Sequence, residues 1–229
     1  MENRQRPLLA VALRLGSALM LATLLAAVKL AGQSGIALPE IMFWRQFVSI
    51  PLLLGWLAMT GSLSELRTSR LRAHAGRSTL GTFNMVFNFE STIRLPLAVQ
   101  TTLGFTTPLH AVLIAAIYFR EKVGIWRWSA VLLGFAGVLV VARPGGAAID
   151  TIGAVMALIS AFLIAVINYQ IRDLGKTETP VCVVFWFAVI GSLLTAPILP
   201  FVMTRHSLLQ WGLLAALGTS GTVCQLMLT

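Results

Sequence analysis

The stretch Leu97–Ala142 decides the fold. It reads LAVQTTLGFTTPLHAVLIAAIYF, then REKVGIWR, then WSAVLLGFAGVLVVA. The first apolar run is about 23 residues and the second about 15–17, each long enough to cross a hydrocarbon core of ~30 Å at 1.5 Å per residue. The charged hinge between them, with Arg120, Glu121, Lys122 and Arg127, leaves no room for a soluble domain. This is a membrane hairpin with a tight basic turn. The rest of the chain reads as further spans around it.

Composition points the same way. The 229 residues are 57% hydrophobic and 11% charged, with mean hydropathy +0.86. A soluble domain carries about 25% charged residues. The net charge of +9 does not indicate nucleic acid, because the cations cluster in short loops between apolar runs, as in multi-span membrane proteins. Cys182 and Cys224 lie inside apolar runs and read as small buried hydrophobes, with no metal-ligand spacing around them. Leu8–Leu30 is too long for the apolar core of a cleavable signal and reads as a span.

Eight apolar runs follow one another: Leu8–Leu30, Ile41–Met59, Leu80–Ile93, Leu97–Phe119, Trp126–Ala142, Ile152–Tyr169, Val181–Met203 and Leu208–Leu228. The third is short and holds Asn84, Asn88 and Glu90. Parity requires it to cross, since the basic loops Arg67–Arg77 and Arg120–Arg127 fall on one side only if an even number of spans separates them. With the N-terminus in the cytoplasm, inner segments hold Arg4, Arg6, Arg67, Arg70, Arg72, Arg77, Arg120, Lys122, Arg127, Arg172 and Lys176. Outer segments hold Arg94, Arg143 and Arg205. This imbalance sets the expected orientation in a cytoplasmic (inner) membrane. The outer loops are short and marked by Gly35, Pro39, Pro96 and the run Pro144, Gly145, Gly146.

An internal echo links GSALMLATLLAAV from Gly16 to GAVMALISAFLIAV from Gly153. Each leads through a turn to a proline, Pro39 or Pro180, and then to Phe-Trp (Phe43–Trp44, Phe185–Trp186). The offset is five spans. An odd number of spans inverts the second copy, which is the inverted-repeat plan of many secondary transporters.

These pieces resemble the drug/metabolite transporter superfamily, EamA type. The residues that carry the resemblance are the Gly16 and Gly153 helices and PEIMFWRQF with Arg45. Leu97–Glu121 adds Pro108 and the closing Arg120-Glu121-Lys122, and GFAGVLVVARPG follows. The resemblance implies an all-α integral membrane protein of ten helices in a 5+5 inverted repeat, of which eight are seen here. Residues 8–145 form the first five-helix repeat. Residues 150–229 form an incomplete second repeat of three helices. It also implies that about 60 further residues belong to the intact protein. Two departures stand out: the position matching Arg45 falls near Trp186, and the last two family spans have no counterpart.

Several residues are candidates for a transport cavity. Arg45 lies just inside the outer end of span two, where a buried cation marks a functional site and snorkelling to headgroups is the plainer alternative. Asn84, Asn88 and Ser91 share one helix face, which must point into the bundle to hold helices together or contact substrate. Gln100, Gly104, Thr107 and Ala111 form a small, polar stripe suited to close helix packing. Pro108 frees a carbonyl near mid-membrane. His110 titrates near neutral pH and is either a proton relay or a neutral hydrogen-bonding partner. Arg14 and Lys29 read as snorkelling or anchoring cations, and Glu90–Arg94 as a local i, i+4 pair. Trp44, Trp126, Trp128 and Trp211 read as interfacial anchors. The lining reads as neither strongly anionic nor strongly cationic.

No paired carboxylates, His-x3-His or phosphate loop appears on the spans, so an enzyme is not expected, no cofactor is implied, and no ATP-driven pump fits. The leading expectation is a secondary transporter, an exporter of small metabolites working by alternating access. Its partners are the bilayer and a small-molecule substrate, with protons and a homodimer both left open. The competing reading is a non-transporting scaffold subunit or an inactive fragment of a transporter.

Overall fold

The computed structural model describes residues 7–118, 120, 121, 123–142 and 150–228. Eight helices run in chain order: α1 (Pro7–Gln33), α2 (Leu38–Thr60), α3 (Leu71–Arg94), α4 (Leu97–Ile117), α5 (Ile125–Ala142), α6 (Thr151–Leu174), α7 (Pro180–Val202) and α8 (Leu208–Leu228). No strand occurs among the described residues. Arg4, Arg6, Lys122, Arg143, Pro144, Gly145 and Gly146 lie outside them.

Local chemistry sets the helix ends. Pro39 and Pro180 stand in the first turns of α2 and α7, where a missing N–H costs nothing. Asp150 caps α6, its carboxylate accepting from the Ile152 and Gly153 amides at 2.9 and 3.2 Å. Thr179 caps α7 through the Cys182 amide. Gly61, at φ 70°, closes α2 in the left-handed conformation that glycine adopts without strain.

Prolines also break helices internally. In α4 the break falls at Phe105–Thr106, one turn before Pro108. Pro108 has no N–H to give the Gly104 carbonyl, and the Thr107 hydroxyl fills that role at 2.8 Å. In α2 the helix is interrupted at Val48, three residues before Pro51. Arg45 therefore falls in the last turn of a helical segment, where unpaired carbonyls favour a cation.

Among the described residues, five helices, α1, α2, α4, α6 and α7, are long and apolar enough to cross a membrane on their own. α3 is the polar one, and the others bury it: α1, α2, α6 and α7 all pack on it. Its buried residues include His74, Arg77, Ser78, Thr82, Asn84, Ser91 and Thr92. Large apolar side chains such as Leu15, Met59, Phe105, Trp126, Leu132 and Phe201 point outward, more than half exposed. Such a surface suits lipid. The chain is a multi-pass membrane protein.

The third run starts earlier than the sequence indicates. α3 begins at Leu71, not Leu80, so Arg72, His74 and Arg77 belong to the helix rather than to a basic loop. Arg77 is only 3% exposed. The expectation that it is a loop cation is corrected: an aromatic ring on α7 receives its guanidinium inside the bundle.

The helices meet unevenly. α1 lies along α8, α3 along α6, and α2 along α7, with α3–α7 and α2–α8 contacts completing an inner group. α4 packs on α6, and α5 packs on α4 at the margin.

The candidate cavity and its two arginines

A cavity of about 290 Å³ lies where α1, α2, α3, α6, α7 and α8 converge. Its polar lining is Arg45, Arg77, Asn84, Asn88, Asn168 and Gln225, and its apolar lining includes Met85, Phe89 and Phe187. The two arginines define it. Arg77 lays its guanidinium carbon 3.9 Å from the centre of the Phe187 ring, and that of Arg45 lies 5.4 Å from the same centre. Gly81 makes this possible: a Cβ there would stand 2.8 Å from the Phe187 ring and 3.4 Å from the Arg77 Nη1. Gly221 likewise leaves room beside the Arg45 Nε.

Hydrogen bonding holds Arg45 but leaves Arg77 underserved. Arg45 donates to the Gln46 Oε1 at 3.0 Å and to the Gln225 Oε1 at 3.2 Å. The Nε and Nη1 of Arg77, with the Nε of Arg45, are buried without a hydrogen-bond partner. Among the described residues, no carboxylate lies within ion-pair distance of either arginine. A buried cation, Arg77, and a partly buried one, Arg45, without a counter-ion are costly unless something supplies negative charge. Cation–π attraction to one ring, ~2 kcal/mol when desolvated, offsets only part of that.

Each end of the bundle is tied by polar contacts. At the end holding the 61–70 and 175–179 turns, Arg70 pairs with Asp173 at 2.6 Å, and the Thr68 hydroxyl donates to Glu178 at 2.7 Å. At the opposite end Glu40 bonds His206, both side chains fully buried, with Trp44 and Trp211 edge-to-face beside them. Arg94 bridges Glu90 and Asp150 there at 2.7 and 3.3 Å. The Gly153 amide, then the Arg94 guanidinium and the Ile152 amide, hold the Asp150 carboxyl below the usual range. Lys29 caps the C-terminus of α3, donating to the carbonyls of Thr92, Ile93 and Leu95.

The candidates singled out from sequence divide into two groups. Arg45, Asn84 and Asn88 line the cavity, and Asn88 also donates to the Ser160 hydroxyl on α6 at 3.1 Å. Gln100, Thr107, Pro108 and His110 sit on α4, away from it. Gln100 is 5% exposed, and His110 lies edge-on to Phe135 and Phe162. Arg77, Asn168, Phe187 and Gln225 also line the cavity and are not among those candidates. One signal for Arg77 was present. Arg77, Gly81, Asn84 and Asn88 follow i, i+4, i+7, i+11, one continuous helical face.

The sequence profile of the EamA-like transporter family matches residues 8–143. The chain belongs to that family. Among its relatives is the pseudopaline exporter CntI of Pseudomonas aeruginosa, 27% identical over 83% of this chain and 66% of that protein. The S-adenosylmethionine uptake transporter of Rickettsia bellii is 26% identical over 82% and 64%. The riboflavin transporter of Vibrio cholerae is 24% identical over 65% and 50%. The chain thus spans less than two thirds of the length of these curated relatives. A crystal structure of another protein matches the EamA-like fold seen here with a TM-score of 0.57 at 20% identity, over 92% of this chain and 78% of that one. The family and these named relatives are transporters, not enzymes.

Proposed function

We propose that this chain belongs to a secondary transporter that moves a small organic anion across the inner membrane by alternating access. The observation that carries the substrate class is the pair Arg45 and Arg77, the first partly and the second fully buried, lining one cavity without a carboxylate partner among the described residues. A carboxylate or phosphate on the substrate supplies the missing charge, and Phe187 and Phe89 offer apolar surface to the rest of it. This departs from the neutral lining expected from sequence, because Arg77 was placed outside the bundle. No carboxylate or histidine lines the cavity among the described residues, which favours exchange of one anion for another over proton coupling.

Helix pairing supports two inverted repeats, residues 8–145 and 150–229. Moving each partner by five helices turns the α1–α8 pair into α6–α3 and the α3–α7 pair into α8–α2, and all four pairs are seen. In this reading the basic turns 61–70 and 118–124 face the cytoplasm, with the N-terminus on the same side. Export is the direction we propose, in line with the pseudopaline exporter among the relatives.

The test is the metabolite profile, inside and outside, of cells with and without the full-length gene. The expected result is an acidic compound retained inside in cells lacking the gene. An unchanged profile across growth conditions, with the protein present in the membrane, would favour the scaffold reading.

A further inference from the structure

A second cluster lies apart from the cavity, at the end that carries the 61–70 and 175–179 turns. His74 is on the first turn of α3, Glu178 precedes α7, and Cys182 is on its first turn. The Glu178 Oε2 is 3.9 Å from the His74 Nε2 and 3.4 Å from the Cys182 Sγ. All three donor atoms lie within 4.8 Å of one another. The His74 side chain is fully buried, yet neither ring nitrogen has a hydrogen-bond partner. A buried imidazole left without partners is costly, and such exceptions call for an explanation.

We propose that His74, Glu178 and Cys182 form a binding site for a divalent transition-metal ion of the zinc type. An imidazole nitrogen, a carboxylate oxygen and a thiolate sulfur are the ligand types zinc accepts, whereas magnesium and calcium take oxygen alone. Bond lengths of ~2.0–2.3 Å around a tetrahedral ion put ligand atoms about 3.5 Å apart, close to the observed separations. Three protein ligands leave the fourth position to water. The Thr68 hydroxyl, donating to the other Glu178 oxygen at 2.7 Å, orients the carboxylate. The Trp186 ring lies 6.3 Å from the imidazole and donates its indole N–H to the Leu66 carbonyl, closing the site on that side.

Binding forms a metal–sulfur bond and releases the Cys182 thiol proton to water. The thiolate and carboxylate together neutralise the ion. Since the ligands come from α3 and α7, a bound ion fixes these two helices to each other at this end. The site does not depend on the transport reading, because it is read by binding alone.

The test is cobalt titration of the protein purified metal-free in detergent micelles. One equivalent is expected to bind and to produce a thiolate-to-cobalt charge-transfer band in the near ultraviolet, which zinc then removes. The Cys224→Ala protein keeps the band, and Cys182→Ala and His74→Gln lose it. Should those two variants aggregate, alkylation of Cys182 in the Cys224→Ala protein decides. Zinc slows the reaction several-fold if the site exists, and Glu178→Gln weakens that protection. Absence of a thiolate band in the wild-type protein, a band that persists in Cys182→Ala, or alkylation indifferent to zinc would overturn the assignment.

Discussion

The α4–α5 hairpin and the wall formed by α2, α3, α7 and α8 differ in the charge of the polar residues they enclose: neutral side chains such as Gln100 and Thr106 on α4, arginines in the wall. The hairpin is the most readable membrane element in the sequence, yet α5 packs on α4 at the margin of the bundle. Its threonine hydroxyls are satisfied locally, whereas the Gln100 Oε1 and the His110 Nδ1 are buried without a hydrogen-bond partner. Thr107 bonds the Gly104 carbonyl, Thr101 and Thr102 bond carbonyls one turn back, and His110 meets two aromatic edges. In the inner wall, cations lie buried with donors to spare. A polar residue whose own helix satisfies it is structure. A buried cation without a counter-ion is the costlier case.

That contrast can be broken or sharpened by substitution, beginning with the largest expected effect. Arg77→Gln keeps a polar, hydrogen-bonding side chain but shortens it and removes its charge. Transport by the full-length protein should fall roughly 10- to 100-fold, as loss of a charge-assisted hydrogen bond of ~1.5–3 kcal/mol implies. Membrane level, followed by immunoblot, should be unchanged, and Arg45→Gln should behave alike. Phe187→Leu removes the ring that both guanidinium groups face. Flux assays should show a smaller loss, roughly 3- to 30-fold for ~0.5–2 kcal/mol.

Asn88→Ala breaks the bond to Ser160 between α3 and α6, a contact of ~0.6 kcal/mol on average in membrane bundles. It should lower the melting temperature in detergent slightly and weaken transport less than Phe187→Leu does. His110→Gln, on the hairpin, should leave flux within about twofold of wild type, because it changes no cavity group. A large loss there would erase the distinction between the two regions.

Much of the fold was legible because it depends on local properties. Apolar runs of membrane length and prolines near helix starts are each contained within a few dozen residues. The site was less legible. Arg77 looks like one more cation of a basic loop until Phe187, 110 positions later in the chain, is placed over it. Asn84 and Asn88 were readable as an inward face because a helix has a fixed period. Asn168 and Gln225 were not, since their role depends on which helices meet. Gln100, Thr107, Pro108 and His110 sit on α4, outside the cavity that holds the two arginines. His74 and Glu178 escaped notice for the same reason as Arg77.

The smallest expected effect is electrostatic and lies outside the membrane. The Asp150 carboxyl is held below its usual range, so its charge stabilises the fold at pH values above the ordinary carboxylate value of ~3.9. That contribution fades as pH falls through the lowered value. The melting-temperature gap between wild type and Asp150→Asn should stay constant from about pH 8 to 5 and close in stronger acid. A gap that widens on acidification would contradict the capping geometry.

If the two arginines select an anion, removing either their charge or the substrate's must abolish transport. Transport of the compound found by metabolite profiling is compared between the wild-type protein and the Arg45→Gln, Arg77→Gln double variant, alongside the same compound with its acidic group converted to a neutral amide. The account expects the wild-type protein to transport the acid and reject the amide, and the double variant to lose the acid while remaining in the membrane. Equal transport of acid and amide by the wild-type protein, or undiminished transport of the acid by the double variant, would contradict it.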